Sequence, residues 1–269
     1  MFIFLPLVNG TILYNYHIFY QLKSLLKEFN WFFISLNLSK LRNMFFSLLI
    51  KRGKMTKTIL VFGDSNTFGT PPMLSRAGIC ARYGKNIRWP MIMQNYLKPE
   101  WEIIEEGLPG RTTSLPDPEM GDHMNGQTGL KIALNSHGPI DLLVIMLGTN
   151  DSKIQFGIEA NQIASGLASL LNIANTPDMQ LKHNNFETLI ITPPQVKERN
   201  ALEKIFFKAN KKTASLNHFY GQLSEKYEIS NINAGDFIET SETDGVHFEP
   251  EAHQTLGKLV AEYILNNFK

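Results

Sequence analysis

Thr58-Ile59-Leu60-Val61-Phe62-Gly63-Asp64-Ser65-Asn66 begins as a short, β-branched, apolar run and breaks at a glycine followed by small polar residues. A run of that length, closed by turn formers, reads as a strand entering a turn. The same pattern recurs downstream. Residues 102–105 form a second, shorter strand, and residues 141–147 are almost wholly apolar, as expected where both faces of a strand are covered. Glu187–Thr192 stops against Pro193-Pro194, which cannot continue a central strand, and residues 228–233 make a weaker fifth.

Helical patterns alternate with these runs. Trp89–Leu97 carries Pro90 in its first turn, a favoured place for proline. Residues 158–174 place Ile158, Ile163, Leu167, Leu170, Leu171 and Ala174 near a 3.6 period. Residues 200–227 form a long helix, polar on one side, and residues 250–266 close the chain with a stripe of Leu256, Leu259, Val260, Tyr263 and Ile264. Alternation of this kind predicts an α/β fold: three layers, α/β/α, around a five-stranded parallel sheet in the flavodoxin-like order 2-1-3-4-5. In that order the carboxyl ends of strands 1, 2 and 3 lie side by side, where ligands bind.

Chemistry-bearing residues follow those strands. Ser65 comes just after the first, Gly107-Leu108-Pro109-Gly110-Arg111-Thr112-Thr113 after the second, and Gly148-Thr149-Asn150-Asp151 after the third. A hydroxyl needs a neighbouring base to act as a nucleophile. Gly110 has no side chain to shield its N–H from a substrate oxygen, and the Asn150 amide can donate to the same point. Asp244-Gly245-Val246-His247 supplies an imidazole with a carboxylate three residues away; on a helical turn both would share one side. Each segment has a plainer reading on its own. Ser65 and Asp151 read as helix caps, Pro109-Gly110 as a turn, Asn150 as an Asx turn, and Asp244/His247 as a surface turn or half of a metal pair. Only Asp64 and Asp151 could join such a pair, so neither a metal nor another cofactor is expected. The other histidines, His17, His123, His137, His183, His218 and His253, lack a comparable acidic partner beside a strand end and read as solvent-facing or structural. Neither a phosphate-binding Gly-x-x-x-x-Gly-Lys-Ser/Thr loop nor a Gly-x-Ser-x-Gly elbow occurs.

With 26 Lys and Arg against 25 Asp and Glu, and no basic block, a nucleic-acid partner is disfavoured. Cys80 is the single cysteine, which excludes an internal disulfide and fits a reducing, cytoplasmic setting. Residues 1–54 stand apart: no Ala, no Asp, one Glu and 8 of the 18 Phe. The absence of Lys or Arg from the first 22 residues and of a small-residue cleavage site argues against a signal peptide. Pro6, Asn9, Gly10, Asn15 and His17 interrupt the apolar character that an anchor would need. The favoured reading is that translation begins at Met55, so that residues 55–269 form the enzyme domain and membrane contact arises only if the leader is native.

Taken together, these segments resemble the SGNH (GDSL-like) hydrolase superfamily. The closest likeness is to its arylesterase/acyltransferase branch, carried by Glu105-Glu106-Gly107-Leu108-Pro109-Gly110-Arg111-Thr112-Thr113 and Met146-Leu147-Gly148-Thr149-Asn150-Asp151. Asn66 stands where the family's common name has leucine. The resemblance implies a serine esterase of short-chain esters, with Ser65 as nucleophile, His247 as base, Asp244 as its partner, and Ser65, Gly110 and Asn150 as oxyanion donors. It also implies a pocket wall from Trp89 and the loop of residues 115–124, acyl transfer to alcohols, and assembly into a homo-oligomer. Carbohydrate O-deacetylase, lysophospholipase or thioesterase activity would use the same machinery. A catalytically silent, membrane-tethered binding protein is the reading from another class.

Overall fold

The computed structural model describes residues 56–75 and 81–268; the leader and Cys80 lie outside the described residues. Five strands, β1 (Lys57–Gly63), β2 (Trp101–Gly107), β3 (Leu142–Met146), β4 (Glu187–Thr192) and β5 (Ser230–Asn233), form one sheet in the order β2-β1-β3-β4-β5. Every pairing is parallel, with Gly63 opposite both Gly107 and Met146. The expected order is therefore the observed one, and the last residues of β1, β2 and β3 lie level.

Successive side chains on a strand face opposite sides, and β1 shows how this divides the core. Ile59 and Val61 pack with Trp89, Met93 and Leu97 of α2 (Trp89–Leu97) and with Leu256, Val260 and Ile264 of α7 (Pro250–Asn267). Leu60 and Phe62 pack with Leu130 and Leu134 of α3 (Gly126–Ser136), Ile163 and Leu167 of α4 (Ala160–Ala174), and Leu216 and Tyr220 of α6 (Ala209–Tyr227). Three layers follow directly. The remaining helices, α1 (Ser65–Phe68) and α5 (Pro177–Lys182), are single short pieces.

Two helices were not among those expected from the sequence. α3 opens on Gly126, capped by Asn125, whose side chain accepts from the Gln127 N–H; Gly129 and several polar residues dilute its stripe. α5 has Thr176 as cap and Pro177 in its first turn, but six residues are too few for a period. The helix expected over residues 200–227 begins only at Ala209, because Asn200 and Lys208 both adopt positive φ (47° and 64°). That leaves residues 200–208 as a turn-rich segment. Among the described residues, no helix is long and apolar enough to cross a membrane.

Candidate active site

Just beyond β1, Asp64 is the N-cap of α1, its Oδ1 accepting from the Asn66 N–H at 2.9 Å. The cap is therefore the residue before the serine, and Ser65 is left as the first helical residue with its hydroxyl uncommitted to capping. The helix lasts four residues and ends at Gly69 in the left-handed conformation (φ 88°). Burial pushes the Asp64 carboxyl up to about 6, against the pull of the Asn66 N–H and of the His247, Arg111 and Lys153 charges.

The loops after β1, β2 and β3 are tied to one another. Arg111, 5% exposed, lies with its guanidinium 4.0 Å from the Phe62 ring centre and donates to the carbonyls of Gly63, at 2.9 Å, and of Glu106. Burial lowers its pKa to about 10, opposed by Glu106 and Asp64. Asn150 Nδ2 donates to the Arg111 carbonyl at 3.1 Å and leans toward Asp64 Oδ2 at 3.4 Å. Asp151 does not cap a helix as expected: it is completely buried and accepts from the Thr113 N–H and hydroxyl.

The Asp244/His247 pair sits on a turn and not on a helical turn. Asp244 Oδ1 accepts from the N–H groups of Val246 (2.9 Å) and His247 (3.0 Å), which bends the chain through Gly245 at φ 75°. Oδ2 then accepts from His247 Nδ1 at 2.7 Å and from the Met73 N–H at 2.8 Å. The three-residue spacing was thus a true signal with a different local cause, a side-chain-capped turn. Burial alone would raise the Asp244 carboxyl; the His247 side-chain hydrogen bond, the His247 charge and the backbone N–H groups of His247 and Met73 outweigh it and hold the carboxyl below the ordinary value. Asn66 Nδ2 donates to the Val246 carbonyl at 3.1 Å, so the residue in the leucine position of the family pattern ties this turn to α1.

Ser65, Gly110, Asn150 and His247 line one cavity of about 250 Å³. Its other walls include Met73, Met120, Leu202, Ile205, Phe206 and Val246, with Glu119, Lys153 and Gln155 at a polar side. Lys153 Nζ and Gln155 Nε2 each lie 3.0 Å from Asp117, whose carboxyl stays below the ordinary value because the Lys153 and backbone hydrogen bonds outweigh its burial. Glu119 and Met120 of the loop of residues 115–124 lie on this lining.

Trp89 is a correction. It is wholly buried in the α2/α7 layer and absent from the cavity lining; the two helices pack closely there, since a Cβ on Gly257 would come within 2.7 Å of the Trp89 carbonyl oxygen. His137 is a second correction: its Nε2 lies 2.8 Å from Glu106 Oε1 near the end of β2, a half-buried pair outside the cavity. The wall of Leu202, Ile205 and Phe206 was not singled out at all, since its spacing looks like the first turns of a helix. The signal that could have found it is Asn200, a residue type that tolerates positive φ.

A family model described as GDSL-like Lipase/Acylhydrolase matches residues 61–255. Est24, a carbohydrate acetylesterase from Sinorhizobium meliloti, is 34% identical over 79% of this chain and 100% of its own, with a TM-score of 0.74. The native aryl esterase of M. smegmatis is 32% identical over 78% of this chain and 99% of its own, with a TM-score of 0.73. A carbohydrate acetylesterase family member from Sinorhizobium meliloti is 30% identical over 78% and 97%, with a TM-score of 0.69. No curated protein matches the chain. The chain belongs to the GDSL-like lipase/acylhydrolase family, a class of ester hydrolases.

Proposed function

We propose that the cavity is the active site of a serine esterase acting on short-chain carboxylic esters through an acyl-enzyme. The observation that carries this reading is the buried 2.7 Å contact of His247 Nδ1 with Asp244 Oδ2, in a cavity that Ser65, Gly110 and Asn150 also line. With Nδ1 bound to the carboxylate, the ring keeps the tautomer in which Nε2 accepts a proton. His247 Nε2 takes the Ser65 hydroxyl proton as Oγ bonds to the ester carbonyl carbon. The oxygen that becomes anionic is held by the Ser65 and Gly110 N–H groups and the Asn150 amide. When the ester C–O bond breaks, the imidazolium gives its proton to the departing alcohol. Water then repeats the sequence on the acyl-Ser65 ester, releasing the acid and returning the proton to Oγ. An alcohol in place of that water gives acyl transfer.

A cavity of about 250 Å³ holds a small acyl group. This argues for acetyl and butyryl esters over long chains, since pockets for larger ligands run from roughly 300 to 1,000 Å³. Carbohydrate O-deacetylation is the second reading, supported by the likeness to Est24. p-Nitrophenyl acetate, butyrate and palmitate and acetylated sugars, assayed with wild type and Ser65→Ala, test both. Short esters are expected to be cleaved by wild type, with a loss on the order of 10⁶-fold in Ser65→Ala. Cleavage by Ser65→Ala at the wild-type rate removes Ser65 from the chemistry, and a preference for palmitate removes the short-chain assignment.

A further inference from the structure

We infer that Asp151 is a positioning residue for oxyanion binding: its carboxylate, fastened to Thr113, fixes the spacing between the loop that presents Gly110 and the loop that presents Asn150. The inference rests on the esterase reading above. An oxyanion site assembled from two strand-end loops stabilises charge only while its donors stay in register, because hydrogen bonds weaken steeply with misalignment. Asp151 is adjacent to Asn150, and Thr113 is three residues past Gly110, so a bond between them restrains both donors at short range.

The clamp has the chemistry to be stiff. Both Asp151 oxygens lie 3.0 Å from the Thr113 backbone nitrogen, and Oδ1 also accepts from the Thr113 hydroxyl. An ionised carboxylate is an acceptor only, which matches two donors from a single residue. Both partners are buried, Asp151 at 0% and Thr113 at 1% exposure, so water does not compete. Burial pushes the Asp151 carboxyl up to about 6, with the Thr113 side-chain and backbone hydrogen bonds acting in the opposite direction.

The neighbouring helix independently makes room for the clamp. A Cβ on Gly166, in the middle of α4, would fall 2.0 Å from Thr113 Oγ1 and 2.8 Å from Ser114 Oγ. Glycine weakens a helix interior relative to alanine, so its presence there is explained by the close approach of the Thr113 side chain. The hydroxyl is thereby held between the α4 backbone and the Asp151 carboxylate. Next to it, Asn150 Nδ2 donates to the Arg111 carbonyl at 3.1 Å, a second link between the same two loops.

The test compares Asp151→Asn, Thr113→Val, Thr113→Ser and Ser65→Ala with wild type on p-nitrophenyl acetate. Competent sites are counted by an organophosphonate titrant, and thermal unfolding is followed in parallel. Asp151→Asn places an N–H donor against a donor, and Thr113→Val removes the hydroxyl at nearly constant volume. Both are expected to lower kcat per titrated site about 10–100-fold with KM changed less than about 3-fold. Thr113→Ser, which keeps the donor, is expected to remain within about 3-fold of wild type. A merely structural clamp lowers the number of titrated sites or the melting temperature while leaving kcat per site intact; that result overturns the inference. If Asp151→Asn does not fold, Thr113→Val decides by the same readout. Full activity in Ser65→Ala overturns the esterase reading instead, whatever the clamp variants do.

Discussion

The two sides of the cavity are held in place by different physics. On one side, Ser65, Gly110 and Asn150 stand at the ends of three hydrogen-bonded parallel strands, cross-linked by Arg111, Asp64 and Asp151. On the other, Asp244 and His247 belong to no strand or helix. Their turn is held by its own carboxylate, by the Lys197 N–H on the Gly245 carbonyl (2.8 Å), by the Ser241 N–H on the His247 carbonyl (2.8 Å) and by Asn66 on Val246. Sheet geometry brings the first side together, and buried side-chain bonds between the strand-end loops then set its spacing. The second is as accurate as one aspartate makes it, since Asp244 both folds the turn and orients the ring.

That asymmetry is open to direct attack. Asp244→Asn should cost more than the loss of an oxyanion donor, because it disturbs the ring tautomer and the turn together: a fall in kcat on the order of 10⁴-fold, measured on p-nitrophenyl acetate. A loss below about 10-fold would show that the sheet side does not depend on the ring's orientation. Asn150→Ala removes one donor from the rigid side; kcat should fall on the order of 10²–10³-fold with little change in KM. An unchanged kcat would take Asn150 out of oxyanion binding.

His253 sharpens the comparison from beneath the turn. It is fully buried on α7 against Phe248 and Tyr83, and burial, with the His247 and Arg88 charges, lowers its pKa to about 4. The unfolded chain therefore binds a proton that the folded one refuses between its ordinary histidine value and about 4. This contribution to stability is complete above the ordinary value and is lost as pH falls toward about 4, a change of about 3 kcal/mol. Denaturant titrations of wild type and His253→Phe from pH 7 to 4 should show their stability difference shifting by that amount in favour of the variant; parallel curves would contradict it. Gly245→Ala tests the turn through its stability. At φ 75° a Cβ would lie 1.7 Å from the Lys197 carbonyl oxygen, so the turn must shift. A stability loss of about 1–3 kcal/mol is expected from backbone strain, seen as a lower denaturation midpoint. An unchanged midpoint would mean that the turn is looser than its hydrogen bonds imply.

Legibility followed the same division. Strand-end residues could be read because an apolar run and its closing glycine announce themselves locally, and parallel order then brings Ser65, Gly110 and Asn150 together. The Asp-x-x-His spacing was readable as a pair but not as a conformation, since a helical turn and a carboxylate-capped turn both bring those side chains together. Trp89 was misplaced because an amphipathic helix tells how many faces are buried, not which neighbour covers a given residue. Leu202, Ile205 and Phe206 were hidden for the converse reason: a short apolar spacing of three and four fits both a helix start and a cavity wall.

By itself, then, the sequence determined the α/β class and the set of polar residues at the strand ends, because periodicity and turn chemistry are local properties of the chain; the strand order it only suggested, through the chemistry that order brings together. Tertiary structure alone decided that Asp64 and not Ser65 caps α1, that Asp151 reaches across to Thr113, and that the 200–208 segment walls the cavity. Those outcomes depend on which buried donors and acceptors meet once the layers pack, and the partners stand far apart in the chain.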